Sequence, residues 1–325
     1  MIKLIASDMD GTLLRDAGHV DERAMELIRK YTAQGAVFTP ASGRCTASCR
    51  ALFNRAGFPL THCIGVNGAQ VQNFVSGETH YMRPLPLETA RRAFEIMQSE
   101  NLHICIYARQ LIAYTWEQAI STSPEQRIVS EMAALGVESA VGEDAVARAM
   151  RGPVLKMYAD CAHGADRAAF ERAREACAAL EGVTITSSWM NNFELMPAGV
   201  DKGAALLYLA EQLGVRREEI VAFGDGDNDA GMLRTATKAP KPRRTAWRKA
   251  SRRGLRKMKR CFNRIICAIL CGIVPIFPTL KRRKSRRDGV PGGFFICTLT
   301  PISRLSASNP RLSAVRSCKF APGGV

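Results

Sequence analysis

The chain has 325 residues, 46 % of them hydrophobic and 23 % charged, which excludes collagen-like and wholly disordered chains and leaves room for about two domains. The formal charge of +16 is unevenly placed: residues 1–233 carry 22 Lys and Arg against 29 Asp and Glu, whereas residues 234–325 carry 24 against one acid, Asp288. The basic character therefore belongs to the tail, and the two parts read as different texts.

The 11 cysteines contain no CxxC pair and do not describe an oxidised scaffold. Cys45 and Cys49, four apart on an expected helix, read as small buried hydrophobes rather than as half a metal site. The N-terminus turns acidic at Asp8, too soon for a signal peptide, so a cytoplasmic location is expected.

Lys3 to Ser7 is a short apolar run ending at acids and a glycine, and predicts a buried strand. Asp21 can cap a helix with Ala24, Leu27, Ile28 and Tyr31 on one face and Gly35 as its stop. A strand over Ala36–Thr39, a helix over Thr46–Ala56 and a strand over Thr61–Val66 follow. This alternation predicts parallel strands in an α/β layer fold, a Rossmann-like sheet. Val71–Phe74 and Thr79–Met82 flank Ser76-Gly77 as a hairpin, and Pro86 opens a helix bearing Ala90, Phe94 and Met97. Strands are expected at Leu102–Tyr107, Leu111–Thr115, Pro153–Ala159 and Val183–Ser187, with helices at Pro124–Leu135 and Ala165–Leu180, together an inserted α+β segment. The parallel style resumes with a helix from Asp201 to Leu213 and a strand at Ile220–Phe223. The expected division is a discontinuous core of residues 1–82 and 195–236, an insert of residues 83–194, and a basic tail of residues 237–325.

Asp8-Met9-Asp10-Gly11-Thr12 directly follows the first strand. Two carboxylates at the carboxyl end of a parallel strand lie where open α/β sheets place their sites. A carboxylate can attack phosphorus only if a cation offsets the repulsion between anions, and Mg²⁺ suits that role. Asp8 is then the nucleophile, giving an aspartyl-phosphate, and Asp10 the acid and base. Ala41-Ser42-Gly43-Arg44 follows the second strand, where Ser42 and backbone N–H groups can hold phosphoryl oxygens. Lys202, at a helix start, can neutralise nucleophile and phosphoryl group. Phe223-Gly224-Asp225-Gly226-Asp227-Asn228-Asp229 supplies further carboxylates at the same sheet edge.

These four segments, in this order, resemble the four motifs of the haloacid dehalogenase-like hydrolases. The insert between the second and third resembles the C2 cap of the Cof-type (class IIB) branch, and Val66-Asn67-Gly68-Ala69 resembles that branch's turn after the third strand. The resemblance covers residues 1–236 and implies a Mg²⁺-dependent phosphatase of small phosphorylated metabolites, sugar phosphates or cofactor-like phosphates. It implies Asp8 as nucleophile and metal ligand, and Asp10 as acid/base whose backbone carbonyl also meets the metal. Ser42, Gly43 and Lys202 fall to phosphate, Asp225 and Asp229 to the metal, Asn228 near the phosphate and Asn67 near the substrate. Arg44, His103, Tyr107, Arg109, Lys156 and Tyr158 are polar groups that can face the insert's side of the site.

The resemblance ends where the composition changes, near Thr237. The tail reads as the product of a shifted reading frame. The competing functional reading is an inactive chain whose basic tail binds nucleic acid or an acidic membrane surface. Ile265–Leu280 is apolar, but it contains two prolines and is shorter than the ~20 residues a spanning helix needs. With 23 excess positive charges and no sustained apolar period, residues after about Ala236 are expected to lack a packed core. Limited trypsin treatment should therefore trim the chain rapidly to a fragment ending between Arg234 and Arg260. A tail as resistant as the insert would refute this.

Overall fold

A computed structural model describes residues 1–236 apart from 17–18, 123–125, 161–165 and 188–191. The tail, with the apolar run Ile265–Leu280, lies outside the described residues.

In chain order the first half comprises β1 (Leu4–Ser7), β2 (Leu14–Asp16), β3 (His19–Val20), α1 (Glu22–Thr32), β4 (Val37–Pro40), α2 (Thr46–Arg55), β5 (His62–Gly65), β6 (Gln70–Asn73), β7 (Thr79–Met82) and α3 (Leu87–Ser99). There follow β8 (His103–Ala108), β9 (Leu111–Tyr114), α4 (Ala119–Thr122), α5 (Val129–Ala134), β10 (Glu138–Val141), α6 (Glu143–Ala149), β11 (Val154–Asp160), α7 (Arg167–Ala178), β12 (Val183–Thr186) and β13 (Asn192–Pro197). The described chain closes with α8 (Lys202–Gln212), β14 (Ile220–Phe223) and α9 (Ala230–Thr235).

The fold is α/β. Its first sheet has the order β14-β1-β4, all parallel, with Ser7 opposite Phe223 on one side and Pro40 on the other. A parallel bridge from Ala41 to Ile64 brings β5 alongside, and β5, β6 and β7 continue antiparallel. The period of two sorts the side chains. Ile5, Phe38, Cys63, Val221 and Phe223 pack with α1 and α2, whereas Leu4, Ala6, Ile64, Ile220 and Ala222 pack with α8 and α9. The sheet is thus sandwiched between helices, which is why its strands are apolar almost without alternation.

The second sheet has the order β10-β9-β8-β11-β13-β12. Its faces also divide. Ile104, Ile106, Met157, Ala159, Phe193 and Leu195 lie under α3, α6 and α7. Cys105, Tyr107, Ile112, Tyr114 and Met196 turn the other way and join the cluster that contains Ile5 and Phe53. The helices α2 and α5 are linked by the Arg55–Glu131 ion pair, and both sheets fall within one compact unit.

Most expected elements form within two residues of their expected ends. Asp21 caps α1 by accepting from the Ala24 N–H at 3.0 Å. The single helix expected over Pro124–Leu135 is instead a 3₁₀ turn at Gln126–Ile128 followed by α5, with Pro124 itself outside the described residues. Ile128 leaves helical geometry at φ −130°, which interrupts the run. Among the described residues, seven short strands and helices have no counterpart in the sequence reading: β2, β3, α4, β10, α6, β13 and α9. Each is only two to seven residues long, too short for a periodicity argument. Among the described residues, no helix is long and apolar enough to cross a membrane.

The strand β1 is anchored at its start as well as its end. The Lys3 N–H donates to the Glu219 carbonyl at 2.9 Å. The buried Glu219 carboxylate accepts from the Arg216 N–H at 3.1 Å and pairs with the Lys3 ammonium at 3.0 Å. Hydrogen bonds from Arg216, then Lys3, hold this carboxyl down at about 2. A depressed carboxyl adds stability above its unfolded value, near ~4.3, and that stability is lost as pH falls toward the folded value. Glu219→Gln should lower the urea midpoint at pH 7, and the gap to the parent should close between about pH 4 and pH 2. Equal gaps at pH 7 and pH 2 would refute the charge-based account.

Candidate active site

The carboxyl ends of the parallel strands are laced together by backbone hydrogen bonds. The Asp8 N–H donates to Phe223 O at 2.8 Å, the Ala41 N–H to Ser7 O at 2.8 Å and the Ser42 N–H to Ile64 O at 2.9 Å. The loops after β1, β4, β5 and β14 are therefore held along one sheet edge, on which α8 enters from the opposite face to α1 and α2.

Lys202, the first residue of α8, has no solvent exposure. Its ammonium donates to Asp8 Oδ1 and to Asp229 Oδ1, each at 2.7 Å. Burial opposes the ammonium, yet the two carboxylates override that and hold it above the ordinary lysine range. Asp8 is 6 % exposed. Burial pushes its carboxyl above the usual carboxylate range against the pull of Lys202, and Asp229 and Asp225 add to the rise. Asp229 completes the post-β14 loop by accepting from the N–H groups of Asp225 at 2.9 Å and Gly226 at 2.8 Å.

Oxygens of Asp8, Asp225 and Asp229 lie within 4.8 Å of one another. Three carboxylates against one ammonium leave an uncompensated negative charge, and an all-oxygen donor set suits a hard divalent cation, so the residues fit a metal. Thr12 Oγ1 donates to Asp225 Oδ1 at 2.5 Å and fixes that carboxylate. Gly11 allows the approach: it sits at φ +94°, and a Cβ there would stand 2.5 Å from Asp225 Oδ2. Cys45 and Cys49 are buried, form no disulfide and take no part in this cluster.

Asp10 does not join the three carboxylates through its side chain. It is 54 % exposed and gripped by the buried Arg44 guanidinium, Nε to Oδ2 at 2.7 Å and Nη2 to Oδ1 at 2.8 Å. Ser42 is buried and its Oγ accepts from the Arg44 N–H at 3.2 Å. Asn67 sits in the left-handed region at φ 54°. It accepts from Asn228 Nδ2 at 3.2 Å and donates to Glu194 at 2.5 Å. Gly68, at φ +99°, lets this turn touch the start of α8, since a Cβ there would lie 2.3 Å from the Asp201 carbonyl.

Of the polar groups expected on the insert's side, Lys156 reaches the loops and donates to Gly43 O at 2.9 Å. The Tyr107 and Tyr158 rings flank its ammonium at 4.4 and 5.8 Å. His103 stacks on Trp116 instead, and Arg109 lines an open cleft beside Glu138 and Arg148. The sequence reading missed Thr12 and Glu194. An acid inside the apolar run Phe193–Met196 was the available signal for Glu194.

Carboxylates and a buried lysine converging on the carboxyl edge of a parallel sheet, with a second sheet inserted above, define a hydrolase of the phosphoryl-transfer type in architecture. The sequence profile of the haloacid dehalogenase-like hydrolases matches residues 5–239, and the chain belongs to that family. It is similar to the phosphatase YwpJ of Bacillus subtilis strain 168, at 25 % identity over 252 residues, 73 % of this chain and 88 % of the relative. It is also similar to the 5-amino-6-(5-phospho-D-ribitylamino)uracil phosphatase YwtE of the same strain, at 23 % identity over 249 residues, 72 % of this chain and 85 % of the relative. The crystal structure of a haloacid dehalogenase-like hydrolase from Bacteroides thetaiotaomicron superposes with a TM-score of 0.59 at 28 % identity, covering 73 % of this chain and 86 % of that one.

Removing the ammonium from such a site strands two buried carboxylates. Lys202→Met should cost about 3–5 kcal/mol of unfolding free energy, measured by urea denaturation without added metal. A loss below about 1 kcal/mol would mean that water, not Lys202, compensates the pair.

Proposed function

We propose that the chain is a divalent-metal-dependent phosphatase of small phosphorylated metabolites, with residues 1–82 and 195–236 as catalytic core and 83–194 as a cap that selects the substrate. The observation that carries this reading is the buried Lys202 ammonium bridging Asp8 and Asp229, with Asp225 beside them. A structural ion pair would not need a third converging carboxylate.

In this reading Asp8 attacks phosphorus through a carboxylate oxygen, and the bond from phosphorus to the leaving oxygen breaks. Asp10 delivers its proton to that oxygen, then takes a proton from the water that hydrolyses the aspartyl-phosphate. Arg44 aims the Asp10 carboxylate through both oxygens. Ser42, the Gly43 backbone and Lys202 receive the phosphoryl oxygens, while Asn67 and Asn228 line the approach. Asp8, Asp225 and Asp229, with the Asp10 carbonyl, would hold the cation, for which Mg²⁺ is our choice. When bound, it supplies the positive charge that lets a carboxylate approach a phosphate. A ribityl-phosphate substrate in one relative's name favours sugar-like or cofactor-like phosphates.

Asp8→Asn should lower turnover of para-nitrophenyl phosphate at least about 10³-fold while far-ultraviolet circular dichroism is unchanged. EDTA should stop the parent enzyme and Mg²⁺ restore it. Substantial turnover by the variant removes the aspartyl-phosphate step, and indifference to chelator removes the metal.

A further inference from the structure

The most heavily buried charges outside the carboxylate cluster belong to the second sheet. Lys156 on β11 and Glu194 on β13 pair at 3.3 Å with side chains only 3 % and 2 % exposed. Both lie on the sheet face that looks toward the loops. Lys156 donates across to Gly43 O at 2.9 Å, and Glu194 accepts from Asn67 Nδ2 at 2.5 Å. Asn67 in turn receives Asn228 from the post-β14 loop at 3.2 Å, and its N–H donates to Ser42 O at 2.9 Å. One buried pair thus touches the loops after β4 and β5 directly and the loop after β14 through one amide.

Four features argue that this contact does more than fill space. Burying two charges costs several kcal/mol per ion, and an apolar pair of similar volume would serve stability as well or better. The acceptor on the loop is a backbone carbonyl next to Ser42, so the contact reads loop position rather than side-chain identity. A Cβ at Gly43 would stand 3.0 Å from Asn67 Oδ1 and 3.6 Å from Lys156 Nζ, so all three meet at one point. The left-handed backbone at Val66 and Asn67, φ 49° and 54°, also needs its surroundings to hold it.

We propose that Lys156 and Glu194 form a polar latch: they are positioning residues that lock the Ser42–Gly43 and Val66–Asn67 loops in register when the inserted sheet is seated on the site. The inference rests on the reading above that these loops receive the substrate. In it, Glu194 orients Asn67, Lys156 fixes the Gly43 peptide, and the ion pair makes the two actions interdependent.

The test is a double-mutant cycle with Lys156→Met, Glu194→Gln and both together. Each single change leaves a partner uncompensated and is expected to destabilise. The double variant has no unpaired charge, and its thermal midpoint should return toward the parent value. A latch predicts that kcat for para-nitrophenyl phosphate with Mg²⁺ nonetheless stays down about 10- to 100-fold, with the double variant no worse than the poorer single. Hydrogen exchange gives a readout independent of turnover: amides of Ser42, Val66, Asn67 and Ala69 should exchange at least tenfold faster in the double variant, with Ile5 and Val221 unchanged. Activity recovering with stability, exchange unchanged at those amides, or a rise in KM alone would each overturn the latch. A parent protein inert toward the phosphate ester would defeat the phosphatase reading, and the exchange comparison would still decide the latch.

Discussion

Lys202 is the constraint on which the rest of the site depends. An ammonium with no solvent contact must be met by carboxylates, and Asp8 and Asp229 meet it from the loops that follow β1 and β14 on the same sheet edge. That demand fixes where α8 begins, because Lys202 is its first residue and Asp201, its cap, accepts from the Ala204 N–H at 2.7 Å. The cap and the cation are therefore set by one local turn. Gly68 removes a Cβ that would keep the turn after β5 away from it. The bonds that hold Lys202 between Asp8 and Asp229 are in place before any substrate arrives, which favours preorganised electrostatics over induced rearrangement.

The carboxylates divide into two kinds of environment. Asp8 and Asp229 are buried and tied to Lys202, whereas Asp10 is half exposed and gripped by Arg44. On the proposed mechanism the attacking carboxylate belongs in the first environment, and the group that exchanges protons with a leaving oxygen and water belongs in the second. The same chain segment, Asp8 to Asp10, produces both because Gly11 turns the backbone sharply between the sheet and the Asp225 carboxylate. Thr12 then closes the turn onto Asp225.

The second sheet brings its own asymmetry. One face is hydrocarbon under three helices, and the other offers Lys156, Glu194, Tyr107 and Tyr158 near the loops. Buried charges are costly, and on this face both are met by the loops: Lys156 by Gly43 O and Glu194 by Asn67. The aromatic rings beside Lys156 add cation–π contact that compensates part of its lost hydration.

The strands, the helix caps and the order of the acidic and glycine-rich segments were legible in the sequence, because each depends on neighbours within a few residues: an apolar run of four, Asp21 before a helix, a glycine after one. Family membership was legible for the same reason. Short elements such as β10, α6 and β13 were not, since four to seven residues carry too little periodicity. Glu194 was passed over because an isolated acid in an apolar run has meaning only when the strand beside it supplies Lys156 and the loop opposite supplies Asn67. Arg44 was among the polar candidates, but its grip on Asp10 joins residues 34 apart in sequence. By itself the sequence determined which residues could do chemistry and on which strand ends they would stand. Which carboxylate is buried, which is solvated and which cation neutralises it were decided by tertiary structure, because desolvation depends on what packs above a residue and not on its chain neighbours.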